Sequence, residues 1–146
     1  MTVRRSHFEY GDDRSRDLLA VFNRELGTHL FENVTSVIRR VVNMPSRRFW
    51  VSEERAFRVV SALLRGKTAL RGGTLRREMY EEIARRTRAF MREHPGWPMR
   101  ESVWHVVNSP APKFYLSVES AHTIIVKERK RCVHEKMQRL QHWVSA

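Results

Sequence analysis

Cysteine is almost absent from this 146-residue chain: Cys132 stands alone, so no intrachain disulfide can form. No apolar run approaches the roughly 18 residues that a membrane-spanning helix needs. The basic N-terminal residues are not followed by the apolar segment of a secretory signal. We therefore expect a protein of a reducing compartment, the cytoplasm, with no membrane partner.

Acidic residues are also scarce, with 16 against 28 lysines and arginines, which leaves a formal net charge of +12. Only five of the basic residues are lysines, so 23 are arginines. A guanidinium group binds phosphate through two parallel hydrogen bonds, which lysine cannot do. The excess is equal before and after Gly73, so it belongs to folded segments rather than to a tail. This pattern favours a nucleic-acid ligand, with an acidic protein partner as the alternative.

A stretch of 23 residues recurs 65 positions later without a gap. Residues 38–60 and 103–125 share Val-Val-Asn, a proline, a phenylalanine, a serine, a glutamate and an alanine at identical spacing. Chance similarity between two helix starts would not reproduce the whole string. We interpret the recurrence as an internal duplication, so the chain holds a first and a second copy of one unit.

Each copy shows the apolar periodicity of three amphipathic helices. Pro45 ends the second helix, and Ser52 and Ser117 are suited to cap the third helix of each copy. The predicted fold is therefore all-α, built from two helix-turn-helix-like units, with at most a short extended pair at 47–51 and 112–116. The predicted organisation is an N-terminal arm over 1–11, a first repeat over 12–66, a linker over 67–73 and a second repeat over 74–146 that ends in a long basic helix.

Two aromatic pairs occupy equivalent positions in the copies. Phe49 and Phe114 are expected to be buried core residues. Trp50 and Tyr115 alternate to the other side of an extended segment, where they either seal the contact between the copies or offer rings for base stacking. Apolar residues of the last helix are expected to face inward, including Cys132, Met137, Leu140, Trp143 and Val144.

The third helix of each copy is the predicted reading element, because helical DNA readers insert such a helix into the major groove. Arginine can bind guanine through two donors, whereas cations further along the last helix are better placed for phosphates. The predicted nucleic-acid-binding residues are Arg47, Arg48, Arg55, Arg58, Lys113, Ser120, His122, Thr123, Lys127, Arg129, Lys130 and Arg131.

Patterns of catalytic or metal-binding residues are poor. The Gly-Lys-Thr of residues 66–68 resembles the end of a phosphate-binding loop, but Ser61 stands where that loop needs its first glycine. Cys132 and His134 are two apart on a helix, and no further pair of ligands completes a metal site. We therefore expect a protein that is not an enzyme and that has no cofactor.

Two functions remain open from the sequence. The first is a DNA-binding regulator or architectural factor with duplicated helix-turn-helix-like units, for which DNA is favoured over RNA. The second is a non-enzymatic RNA-binding or scaffolding subunit of a nucleoprotein assembly, such as a structural or packaging protein of a phage or mobile element. A homo-oligomer or a protein partner is compatible with both.

Overall fold

A computed structural model describes the backbone of residues 2–28, 33–67 and 72–145, and the side chains of those ranges from residue 10 onward. These ranges contain the helices α1 (Thr2–Leu26), α2 (Val34–Val41), α3 (Glu53–Leu64), α4 (Thr74–Glu93), α5 (Met99–Val107) and α6 (Val118–Ser145). No strand occurs within them, so the all-α class predicted from the sequence is confirmed.

The starts of the third helices agree with the predicted caps. The Ser52 hydroxyl accepts a hydrogen bond from the backbone N–H of Arg55 at 3.3 Å, and Ser117 accepts from Ser120 at 3.1 Å. Residues 2–11, expected to form an arm, are the first turns of α1. The division into domains stays a prediction, and residues 68–71 of the expected linker lie outside the described ranges.

The third helix of each predicted copy packs against the first two helices of the other. Helix α3 contacts α4 and α5, helix α6 contacts α1 and α2, and α2 and α3 do not pack on each other. The expected helix-turn-helix-like unit would instead return α3 onto α2. Two equivalent backbone hydrogen bonds attach the segments before α3 and α6 to helix ends of the other predicted copy. The Phe49 N–H donates to the Val107 carbonyl and the Phe114 N–H donates to the Val42 carbonyl, each at 3.0 Å.

The expected extended pair is reduced to one antiparallel bridge. Ser46 and Ala111, which are 65 positions apart, exchange two backbone hydrogen bonds of 3.1 Å. The bridge precedes both expected segments, 47–51 and 112–116, which do not pair as strands. Helices α2 and α5 also begin 65 positions apart, as do α3 and α6. The duplication itself stays a prediction.

We call this packing of each third helix against the other predicted copy the exchange of third helices. It gives two three-helix bundles, each with its own core. We call α1, α2 and α6 the first bundle, and α3, α4 and α5 the second bundle. Phe114 is buried in the first core and Phe49 in the second, at 3% and 0% exposure. Their predicted burial is therefore confirmed, although each ring fills the core formed mainly by the other copy's first two helices. Larger members of the cores include Leu18, Phe22, Ile38 and Ile125 in the first, and Tyr80, Ile83, Val60 and Val103 in the second.

The C-terminal half of α6 is exposed, so the expectation that its apolar residues face inward is wrong beyond Cys132. Cys132 still packs against the first core. Leu140 is 62% exposed and Trp143 is 82% exposed, and Met137 and Val144 are exposed as well. Periodicity identifies an apolar helix face, but it does not show whether the chain provides an element to cover that face.

Candidate nucleic-acid interface

A cleft of about 600 Å³ lies between the two bundles. Four arginines from three helices line it: Arg14 of α1, Arg55 and Arg58 of α3, and Arg76 of α4. Among the residues that the structure describes, none that lines the cleft is acidic. The cleft therefore concentrates positive charge beside a largely apolar wall. Solvent screens the electric field of these charges less in such a cleft than on an open surface.

The charges of these four arginines are not neutralised within the described part of the chain, where none of them forms an ion pair with a carboxylate. Two carboxylates close to Arg55 and Arg58 in the sequence are engaged elsewhere. Glu54 binds Arg100 at 2.7 Å, and Glu53 lies 3.5 Å from Arg48. The guanidinium groups in the cleft are therefore available to bind an anion from outside the chain.

Aromatic side chains form the wall of the cleft beside Arg14. The Arg14 guanidinium carbon lies 5.5 Å from the centre of the Tyr10 ring, and that ring lies 5.8 Å from the ring of Trp50. Burial raises the pKa of Tyr10, so its phenol is neutral at physiological pH. Trp50 is only 9% exposed, and its indole N–H donates to Asp17 at 3.3 Å. Trp50 is therefore chiefly a core residue and offers little ring surface for stacking.

Tyr115 is the aromatic lining residue with an unusual backbone, at a φ of 55°. This left-handed conformation is uncommon for a bulky residue. Its ring stacks on Phe49 at 6.0 Å between centres, and the Lys113 ammonium lies 5.3 Å from its centre. Burial, reinforced by the Glu82 carboxylate, raises the pKa of Tyr115 to about 12. Of the two expected stacking residues, Tyr115 is the one that retains accessible surface.

Tyr80 of α4 also lines the cleft, and its hydroxyl is buried without a hydrogen-bond partner in the described structure. The residue is only 3% exposed. A buried hydroxyl without a partner costs about 1–3 kcal/mol. The sequence carries no signal that separates Tyr80 from an ordinary core aromatic residue.

Three of the predicted binding residues are engaged in internal contacts. Arg48 donates to the Val51 carbonyl at 2.9 Å, and Lys113 binds the Glu78 carboxylate at 2.8 Å. Arg131 binds Glu128 and Glu135 of its own helix, and the hydrogen bonds to Glu128 are the main reason why its pKa is raised. These cations are therefore less available to phosphate than the arginines of the cleft.

The other predicted residues lie outside the cleft, apart from Arg55 and Arg58. On α6, Lys127, Arg129 and Lys130 are exposed, with the Arg129 guanidinium carbon 5.9 Å from the centre of a core phenylalanine ring. The remaining exposed residues are Arg47, Ser120, His122 and Thr123, of which Ser120 and Thr123 hydrogen-bond within the first turns of α6. The structure thus divides the predicted set between the cleft, the exposed surface of α6 and the connections that precede α3 and α6.

Comparison with known proteins gives no family for this all-helical chain: no family model matches it, and no curated protein or solved structure is significantly similar. None of the helices in the described ranges combines the length and apolar composition that crossing a membrane requires.

Proposed function

We propose that this chain is a nucleic-acid-binding protein that holds a phosphate backbone in the arginine-lined cleft. The observation that carries the proposal is the convergence of Arg14, Arg55, Arg58 and Arg76 on a cleft whose described lining contains no carboxylate. Evenly spread arginines would indicate only a basic protein. Four that converge, and that form no ion pair with a carboxylate of the described residues, indicate a site for a polyanion.

The chemistry of the cleft suits one strand of a nucleic acid. Guanidinium groups can bind phosphate oxygens with two parallel hydrogen bonds. The exposed part of the Tyr115 ring offers a surface on which a base or sugar can lie. We expect the cleft, at about 600 Å³, to hold one strand, with the second strand of a duplex outside it.

DNA is the favoured ligand, and a regulator or architectural factor is the favoured role. Helix α3 presents Arg55 and Arg58 near its capped N-terminus, which is where helical DNA readers carry the side chains that contact bases and phosphates. The second candidate function is the RNA-binding or scaffolding subunit of a nucleoprotein assembly. The exposed apolar residues of α6 favour it, because they are suited to a protein contact.

The test measures binding to duplex DNA, single-stranded DNA and an RNA hairpin over a salt series. If four phosphates are neutralised, log K falls with log salt at a slope of about −3.6 for a duplex and about −2.8 for a single strand. The double variant Arg55→Gln with Arg58→Gln should make the slope shallower by about 1.4 to 1.8. Its matched control is Arg88→Gln with Arg92→Gln, which removes the same charge from exposed positions of α4 outside the cleft.

Two results would contradict the proposal. If the cleft variant and its control lose affinity equally, attraction follows net charge and the cleft is not the site. If none of the three nucleic acids binds at the lowest salt, an acidic protein partner becomes the explanation for the charge of +12.

A further inference from the structure

The exposed part of α6 carries an apolar seam with a seven-residue period. Val126, Val133 and Leu140 are seven positions apart, and Met137 and Val144 form a second series offset by four. This alternation of four and three is that of the d and a positions of a coiled coil. We call these five residues the α6 seam. Its members are between 36% and 88% exposed.

Nothing in the described part of the chain covers the α6 seam. Cys132 is the last residue of α6 that packs against the first core, and the helix continues to Ser145. Val133, Met137 and Leu140 are each more than half exposed. An isolated apolar residue on a surface needs no explanation, but a periodic series of this length on one helix face is typical of an interface.

Charges beside the α6 seam are positive. Three of the six flanking e and g positions hold cations, Lys127, Arg129 and Lys136, and none of these pairs with a carboxylate of the described residues; the other three positions hold His134, Gln141 and Trp143. Both acidic residues of this part of the helix, at positions 128 and 135, lie on the opposite face and bind Arg131. A partner helix would therefore meet a hydrophobic seam bordered by cations on both sides.

We propose that the α6 seam docks an acidic amphipathic helix of another protein as a coiled coil. Complementary charges at the e and g positions decide which helices pair. This inference goes beyond nucleic-acid binding and does not depend on it.

A second copy of this chain is a poorer occupant. In a parallel pair, Lys130 at an a position would face its own equivalent inside the seam. In an antiparallel pair centred on the seam, Lys136 would lie beside its equivalent. Both arrangements bring like charges together, which costs stability, whereas glutamates at the same places would pair with them.

A membrane surface also fits the seam less well. Helices that lie in a membrane interface bury a broad apolar face, whereas a strict a and d stripe is the narrower seam of a coiled coil. Trp143 borders the seam only at its C-terminal end, where it is 82% exposed.

The experiment titrates the full chain, free of nucleic acid, with labelled synthetic helices and follows fluorescence anisotropy. One peptide has three heptads with leucine at a and d and glutamate at e and g, and its matched partner has lysine at e and g. We expect the acidic peptide to bind at least about tenfold more tightly, because only its charges complement the flanks.

Two sets of variants locate the contact. Val133→Ser with Leu140→Ser should weaken the acidic peptide about tenfold or more, since two seam layers are lost. Gln138→Ser, on an exposed position outside the seam, should leave its affinity unchanged. Lys127→Glu with Lys136→Glu should reverse the preference toward the basic peptide.

Three results would overturn the proposal. Equal binding of both peptides would show that the flanking charges do not select the partner. A stable dimer in sedimentation that Leu140→Ser dissociates would identify the occupant as a second copy. Vesicles containing anionic phosphatidylglycerol that shift tryptophan fluorescence only when Trp143 is present, while the acidic peptide does not bind, would identify it as a membrane.

Discussion

The Asp17 carboxylate of α1 accepts hydrogen bonds from the connection between α2 and α3. Replacing Asp17 therefore tests what stabilises the exchange of third helices. The side chain is 6% exposed. Its carboxylate accepts the Arg47 backbone N–H at 3.0 Å and the Trp50 indole N–H at 3.3 Å. Hydrogen bonds to charged groups contribute about 1.5–3 kcal/mol each, and the longer of these two should lie below that range. We therefore expect Asp17→Ala to lower the free energy of unfolding by about 3 kcal/mol.

Glu82 provides the matched control, because it stands 65 positions after Asp17 in the second copy. There Pro112 replaces Arg47, and proline has no N–H to donate. Glu82 instead binds Arg85 and Arg86, and the hydrogen bond from Arg85 is the main reason why its pKa is lowered. These pairs join neighbouring turns of one helix and are partly exposed, so Glu82→Ala should cost about 1 kcal/mol or less.

Urea unfolding, followed by circular dichroism, measures both changes. A double-mutant cycle of Asp17→Ala with Trp50→Phe separates the indole contact from that of the backbone N–H. If Asp17→Ala costs no more than Glu82→Ala, the connection does not depend on this carboxylate and the reasoning is refuted.

Two further predictions concern aromatic rings, of which Phe49 and Phe114 are buried and Tyr115 is partly buried. Phe49→Ala and Phe114→Ala should each lower the free energy of unfolding by about 3–5 kcal/mol. Their effects should add in urea unfolding because they lie in separate cores, and a strongly non-additive pair would contradict that separation. In an alkaline titration followed by phenolate absorbance, Tyr115→Phe should remove the step near pH 12, since burial raises the pKa of Tyr115 to about 12. The unfolded phenol loses its proton from about pH 10, so this residue's contribution to stability should fall between these two pH values; an unchanged titration curve would contradict its burial.

The helices and their caps could be predicted because both depend on local chemistry. Apolar periodicity marks helix faces, and a serine hydroxyl at Ser52 or Ser117 satisfies a free N–H at a helix start. The burial of Phe49 could be predicted from its hydrophobicity. The exchange of third helices could not, because periodicity does not specify which helix an apolar face will meet. The bond from the Phe49 N–H to Val107 joins residues 58 positions apart.

The cleft was predictable in part for the same reason. Arg55 and Arg58 stand at exposed positions after a recognisable cap, so their helix could be singled out. Arg14 and Arg76 are two among many arginines of α1 and α4, and only the packing of the bundles brings them beside α3. Tyr80 required the structure as well, because its unpaired hydroxyl is visible only once its neighbours are known.

The exchange of helices and the candidate site depend on each other. Arg14 belongs to the first bundle, whereas Arg55, Arg58 and Arg76 belong to the second, so neither bundle contains the cleft on its own.

Helices α3 and α6, the third helices of the two predicted copies, carry different side chains on their surfaces. At the positions 65 residues after Arg55 and Arg58, helix α6 has Ser120 and Thr123, which do not line the cleft. Helix α6 instead extends to Ser145 with an uncovered apolar seam, whereas α3 ends at Leu64. Under the two proposals, α3 faces a nucleic acid and α6 faces a protein. Because the exchange places these helices in different bundles, both contacts can form on one molecule without competing for the same surface.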